Sequence, residues 1–207
     1  AQNIREQNPD ICGLNEVRNG SEEDHTTGRS NQALFFQNEL GGNAKFGKAI
    51  DIHGFEYGNA IWSKHNIQSI EVIPVPEVEI KTEGYYENRC VIKTEYCIEN
   101  QKLTVLNSHF GLAKGEPDNA VDTVLSLASD IEGPLVLMGD FNMTPDNPLI
   151  KKLSEVFSDS HASVGKEVFT FPSHAPEIRI DYIFVRDAKV LDANTISKVV
   201  SDHYAIT

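Results

Sequence analysis

The stretch LVLMGDFNMTPDNP, residues 135–148, runs four apolar residues into Gly139 and then delivers Asp140 and Asn142 two positions apart. The same habit recurs along the chain. Apolar runs stop or start on acidic, amide or imidazole side chains at Asn15-Glu16, Asn107-x-His109, Asp140-x-Asn142 and Asp202-His203, and Asp181 sits inside RIDYIFV. Strand alternation puts Asp181 on the face of Ile183 and Val185, where an acid is costly unless it is paired or binds a metal. Carboxylates and amides without cysteine ligands are the donor set of Mg2+, Mn2+ or Ca2+, not of structural zinc. The two histidines add groups that donate a proton or a hydrogen bond to a phosphoryl oxygen near neutral pH.

Taken singly, each feature has an ordinary reading. Glu16 is a loop acid, Asn107 and His109 cap a strand end, and Asp140 with Asn142 opens a turn. Joint occurrence in matching strand contexts favours a metal-assisted site over coincidence.

The elements that must position these residues alternate along the chain. Residues 1–8 read as a short helix stopped by Pro9, and DICGL reads as a buried strand that releases Asn15 and Glu16 at its end. A polar loop over 18–28 precedes a helix in RSNQALFFQNELGG, where apolar residues fall at helical spacing before a Gly-Gly stop. Strands are expected at KFGKAID, GNAIWS, IQSIEVIPV, NRCVIKTEYCI, KLTVLNSH, PLVLMG and IRIDYIFVRD. Further helices fit PDNAVDTVLSLASDI, with Pro117 in its first turn, and NPLIKKLSEVF. Strands outnumber what simple βαβ repetition supplies, so a mixed, layered α/β domain is favoured over a Rossmann-type one.

The chain has 207 residues, 40% hydrophobic and 24% charged, enough for one domain with a sizeable core. A net charge of −13, from 18 basic against 31 acidic residues, repels nucleic acid and anionic membranes at long range. A bound cation reverses that field locally, so an anionic substrate stays open. The three cysteines are too few for a disulfide framework and are read as reduced packing residues. No run approaches the roughly 20 apolar residues of a membrane span. No signal peptide is visible, so a cytoplasmic protein is expected, with a secreted one open if a leader is missing.

Six motifs stand in an order that carries a resemblance. NPDICGLNEV resembles PDIxxLQEV, with Asn15 in place of the usual Gln, GNAIWSK resembles GNAILS, and NSHFG resembles NTHL. GDFNMTPDNP resembles GDFNxxPxS, FTFPSHAPEIRIDYIFV resembles TFxxxxPxxRIDYIFV, and SDHYAI resembles SDHxPV. Over nearly its whole length the chain resembles the endonuclease/exonuclease/phosphatase superfamily, the deoxyribonuclease I-like metal-dependent phosphodiesterases. The resemblance implies an α/β (α+β) fold, a four-layer α/β/β/α sandwich of two mixed, mostly antiparallel sheets with the active site at one end. It implies Glu16 as the main divalent-metal ligand, with Asp202 contributing, and Mg2+ as the cofactor, Mn2+ or Ca2+ being alternatives. Asp140 then activates the attacking water, Asn142 holds the phosphate or nucleophile, and His203 contacts the scissile phosphate while Asp181 fixes its tautomer and charge. His109 is the second phosphate-facing histidine and Glu87 the acid that pairs with it. Asn107 and Arg89 are assigned to the substrate.

Members of the superfamily open with a strand that ends in an Asn, ahead of the first helix. Here residues 1–8 match that helix, so the expectation is a single domain over 1–207, truncated at its N-terminus and slightly at its C-terminus and lacking its first strand. Asn3 is read as a helix residue and not as that Asn. The expected substrate is a compact phosphate ester bound by a monomer. Nucleic acid is open but disfavoured by charge, and Tyr85 and Tyr86 are candidates for stacking on a base or sugar. A non-catalytic phosphate-binding domain of the same fold is the alternative.

Overall fold

The computed structural model describes residues 1–20, 31–52 and 54–207, so residues 21–28 of the expected polar loop lie outside the described residues. The chain runs through α1 (Gln2–Gln7), β1 (Ile11–Asn19), α2 (Gln32–Leu40), β2 (Asn43–Ile52), β3 (Phe55–Ser63) and β4 (Ser69–Pro74). It continues through β5 (Cys90–Ile98), β6 (Gln101–His109), α3 (Glu116–Asp130), β7 (Leu135–Asp140) and α4 (Pro148–Ser154). Five short elements follow: β8 (Ser158–Asp159), α5 (Ser160–Ser163), β9 (Asp181–Arg186), β10 (Thr195–Ile196) and β11 (Ala205–Ile206). The helices begin where the sequence offers caps. The Asn31 side chain accepts from Leu34 N at 2.9 Å, and Asn147 accepts from Leu149 N at 2.9 Å with Pro148 just inside the helix. Helix α2 ends at Gly41, whose φ of 72° suits glycine.

The strands form a six-stranded sheet in the order β4-β5-β6-β7-β9-β8, in which only β6 and β7 run parallel. A three-stranded antiparallel sheet, β1-β3-β2, packs against it. Apolar residues sort by strand face into three interfaces. Ile61, Ile92, Tyr96 and Val105 fill the space between the sheets, and Val17, Ala33 and Ala60 join β1 and β3 to α2. On the far side, Ala120, Val121, Val124 and Ala128 form one stripe of α3 and cover Leu106, Leu135, Leu137, Phe141 and Phe184. Helix, sheet, sheet, helix is the four-layer sandwich expected.

The sheets are three among the described residues, not two, because β10 and β11 pair only with each other. Among the described residues β1 pairs only with β3, and Cys12, Gly13 and Asn15 share a cleft of about 360 Å3 with Ala205 and Ile206. Strand β1 also runs on through Asn15 and Glu16 instead of ending before them. A bulge shifts its register against β3 between Leu14 and Val17, turning exposed Glu16 outward at φ 58° and returning Val17 to the core. All three cysteines are free; Cys90 is buried, Cys12 half-buried and Cys97 exposed. No helix among the described residues is long and apolar enough to cross a membrane.

Gly139 shows why the strand that carries Asp140 needs a glycine. Its φ is 143°, and a Cβ there would lie 1.8 Å from the Ser108 carbonyl oxygen across the parallel β6–β7 pair. Gly139→Ala is expected to destabilise the fold by at least about 3 kcal/mol, from backbone strain plus forced separation of the strands. Urea unfolding reads this directly, and a loss below about 1 kcal/mol would refute the close approach.

Candidate active site

Strand pairing alone puts three polar residues in one row. His109 is opposite Asp140 in the parallel β6–β7 pair, and Asp140 is opposite Asp181 in the antiparallel β7–β9 pair. Each is followed by an aromatic residue that points to the other face. Phe110 stacks on Phe141 at 4.4 Å and Phe141 on Tyr182 at 5.4 Å, so the row of polar side chains is backed by a row of rings. The backing extends into the turn after β7, where Phe141 N donates to Ile180 O at 2.9 Å and the Tyr182 hydroxyl donates to Met143 O at 2.8 Å. Asn142 sits there in the left-handed region at φ 53°, and its N–H donates to Asp140 Oδ1 at 2.8 Å.

That bond leaves Asp140 Oδ2 facing two imidazoles, with His109 Nε2 at 3.5 Å and His203 Nε2 at 3.7 Å. Burial, with the charge of Asp181 next in size, raises the Asp140 carboxyl from 3.8 to about 7. The two rings are in opposite states. Burial and then the charge of Arg89 lower His109 to about 3, so it is neutral. For His203, burial works against the charge, but the Asp181 hydrogen bond and the charges of Asp181, Asp140 and Asp202 outweigh it and raise the group to about 9. His203 Nδ1 lies 2.9 Å from Asp181 Oδ2, which fixes the ring, and Phe171 packs against its other side at 4.8 Å. The loop that carries His203 is tied down by Ser173 N to Asp202 O and Tyr204 N to Thr170 O, both 2.7 Å.

Asp140, Asp181 and His203 join Glu16 and Asp202 around a cleft of about 520 Å3. Ligand atoms of Asp140, Asp181 and His203 lie within 4.8 Å of one another. A histidine held charged has no lone pair to offer, so the oxygens of Glu16, Asp140, Asp181 and Asp202 are the donors that fit a hard divalent cation. The crowding of these acids, read in the raised Asp140 carboxyl, is what such a cation would relieve.

Two residues expected at the site do other work. Asn107 is fully buried, and its amide donates to Leu14 O at 3.2 Å and Ala60 O at 3.1 Å, so it ties β6 to the facing sheet; it lines the neighbouring cleft of about 360 Å3 and not the one of about 520 Å3. Glu87 does not pair with His109. Its carboxylate holds Arg89 at 3.0 Å, and Arg89 Nη1 stands 2.9 Å from His109 Nδ1, so a guanidinium occupies the place expected for the acid. The physical reason is placement: in the segment leading into β5 the Arg89 guanidinium stands between the Glu87 carboxylate and the His109 ring. Glu116 supports this arrangement by accepting from Glu87 N at 2.8 Å and Ala113 N at 3.0 Å. Glu116 escapes a reading of motifs, as does Tyr57, whose hydroxyl is held protonated by burial and then by Glu16. Glu116 opens a helix, and nothing in its local sequence separates it from any first-turn acid.

The Leptotrichia buccalis endonuclease/exonuclease/phosphatase family protein has a similar structure, with a TM-score of 0.74 and 20% identity over 99% of this chain and 88% of that one. The mannosyl-6-phosphatase of Bacteroides thetaiotaomicron gives 0.76 and 18% over 99% and 86%, and D. rerio TDP2 complexed with a single-strand DNA product gives 0.68 and 16% over 99% and 87%. No curated protein matches the chain in sequence. The profile of the endonuclease/exonuclease/phosphatase family matches residues 1–203, and the chain belongs to that family.

Proposed function

We propose that this chain is a divalent-metal-dependent hydrolase of phosphate esters, with Asp140 as the base. The observation that carries the reading is the charge pattern around Asp140 Oδ2, between a neutral His109 and a charged His203. A carboxylate poised near neutrality suits proton abstraction from water. Asp140 takes a proton from a water aligned with phosphorus, the water oxygen bonds to phosphorus, and the bond to the leaving oxygen breaks. His203, kept cationic by Asp181, donates toward the phosphoryl group as charge builds there. Asn142 holds the phosphate or the nucleophile. A Mg2+ or Mn2+ held by Glu16, Asp202 and their neighbours would polarise a non-bridging oxygen and offset its charge.

The substrate read from charge is a compact phosphate ester. A net charge of −13 disfavours long duplex DNA. The phosphatase named among the similar structures is consistent with such a substrate, and the single-strand DNA product bound to TDP2 supports a nucleic-acid alternative. Bis-p-nitrophenyl phosphate, p-nitrophenyl phosphate and plasmid DNA, each with and without EDTA, separate the readings. The expected result is hydrolysis of a small ester that EDTA abolishes and Mg2+ restores. Asp140→Asn is expected to lower kcat on the order of 10²–10³-fold with the fold intact by circular dichroism. Near-full activity in that variant would refute Asp140 as base.

The protonation states fix the direction of the pH dependence. Activity rises as Asp140 loses its proton, on a limb at or below about 7, and falls as His203 loses its proton through about 9. His203→Gln is expected to remove the upper limb, seen in kcat/KM against pH. In the metal-free protein the raised Asp140 carboxyl favours folding with a proton bound, so its contribution to stability declines between pH 3.8 and about 7. The pairing of His203 works in the other range, present in full below 6.5 and lost as pH rises through about 9. Mg2+ is therefore expected to raise the thermal midpoint more above neutrality than in mild acid, and an equal shift at both would count against the acidic cluster as its site.

A further inference from the structure

The donors around His109 do not balance. Arg89 Nη1 lies 2.9 Å from His109 Nδ1, and a guanidinium has donors only, so Nδ1 must accept. The ring is then neutral and carries its one proton on Nε2. The nearest polar atom to Nε2 is Asn142 Nδ2, at 3.1 Å, which also donates to Phe110 O at 2.9 Å. Two donors therefore meet with no acceptor between them. Flipping the Asn142 amide does not help, because its oxygen would then face the Phe110 carbonyl oxygen at that same 2.9 Å. Asp140 Oδ2, at 3.5 Å from Nε2, is too far for a good bond. An anionic oxygen placed beside both groups satisfies them together.

We propose that Arg89 is a positioning residue that locks His109 as the Nε2–H tautomer, so that His109 and Asn142 present converging donors to an anionic oxygen of the phosphate ester. The residues around it are built for that task. Glu87 Oε1 stands 3.0 Å from Nη1 as an ion-pair partner without a hydrogen bond, so His109 is the group Nη1 donates to, and both Arg89 and Glu87 are nearly buried. Glu116 fixes the backbone of Glu87 in turn. His109 thus works as a neutral donor, leaving His203 as the one charged imidazole beside Asp140. Arg89, expected at the substrate, acts through His109. The proposal deepens the hydrolytic reading and rests on it only for the identity of the anion.

The test reads ring nitrogens by proton–nitrogen correlation spectroscopy on the labelled, metal-free chain at neutral pH, with His109→Gln to assign the signal. The expected wild-type spectrum has the His109 proton on Nε2 alone, and that resonance shifts on adding inorganic phosphate. Arg89→Met is expected to release the lock, so that Nδ1–H becomes populated and the phosphate response is lost, whereas Arg89→Lys, which keeps a donor, retains the wild-type pattern. On the ester that the chain hydrolyses, Arg89→Met is expected to lower kcat on the order of 10- to 100-fold. A proton on Nδ1 in the wild type overturns the proposal without need of any variant. So does an Arg89→Met spectrum identical to wild type, or an Arg89→Lys spectrum identical to that of Arg89→Met. Because the tautomer is read without metal or ester, a chain that shows the lock but hydrolyses nothing refutes the hydrolytic reading alone.

Discussion

The parallel pairing of β6 with β7 sets up most of what this molecule can do. In that register His109 and Asp140 end their strands side by side, and the antiparallel return of β9 brings Asp181 into the same row. One slip along β7 would send Asp140 to the helix side, since successive residues of a strand point to opposite faces. The register is held by the close approach at Gly139, which no larger residue permits, and by the stacked rings behind it. Phe110, Phe141 and Tyr182 are fully buried. Their packing keeps the strand ends still on the opposite face, where charged groups would otherwise drive them apart.

What those ends hold is an electrostatic arrangement under tension. Asp140 is 7% exposed and feels the charges of Asp181 and Glu16, and among the described residues no charged group donates to it within normal hydrogen-bond reach. Its carboxyl rises accordingly, which is costly for folding above neutrality and useful to a base. The same field has opposite effects on the two histidines. His203 looks onto Asp181, Asp140 and Asp202 and gains a proton, while His109 is kept neutral by its burial and then by Arg89 beside it. Identical side chains within reach of one carboxylate are thus set apart by their burial and by the partner of their second nitrogen.

Much of this was legible in the sequence, and the failures share a cause. Alternation in RIDYIFV put Asp181 on the face of Ile183 and Val185, and the structure agrees, since Tyr182 and Phe184 are the residues that enter the helix-side core. The D-x-N spacing after LVLMG marked the strand end, though Asn142 reaches the site by a left-handed turn and not by continuing the strand. Hydrophobic periodicity found α2, α3, α4 and the long strands because each is long enough to repeat. It found neither β8, α5 nor the β10–β11 pair, elements of two to four residues that have no period to display. By type and position Asn107 fits a site residue and a link between the sheets equally well. Only the approach of the second sheet, with Gly13 leaving room, decides that its amide bridges β6 to β1 and β3.

Glu87 and Arg89 carry the same point into mechanism. A motif reports which side chains stand near one another, and it cannot report which of two neighbours on one face reaches a third. An acid at His109 Nδ1 would stabilise the protonated ring, whereas a guanidinium there forbids it. The two alternatives lie two residues apart in one segment, yet they specify opposite charges at the same atom. Burial decides in favour of the guanidinium, because Glu87 needs a cation to offset its own desolvation and Arg89 is the one it holds, at 3.0 Å. The buried pair supplies a donor where a lone carboxylate would supply a charge, so the state of the polar row follows from how Glu87 is neutralised.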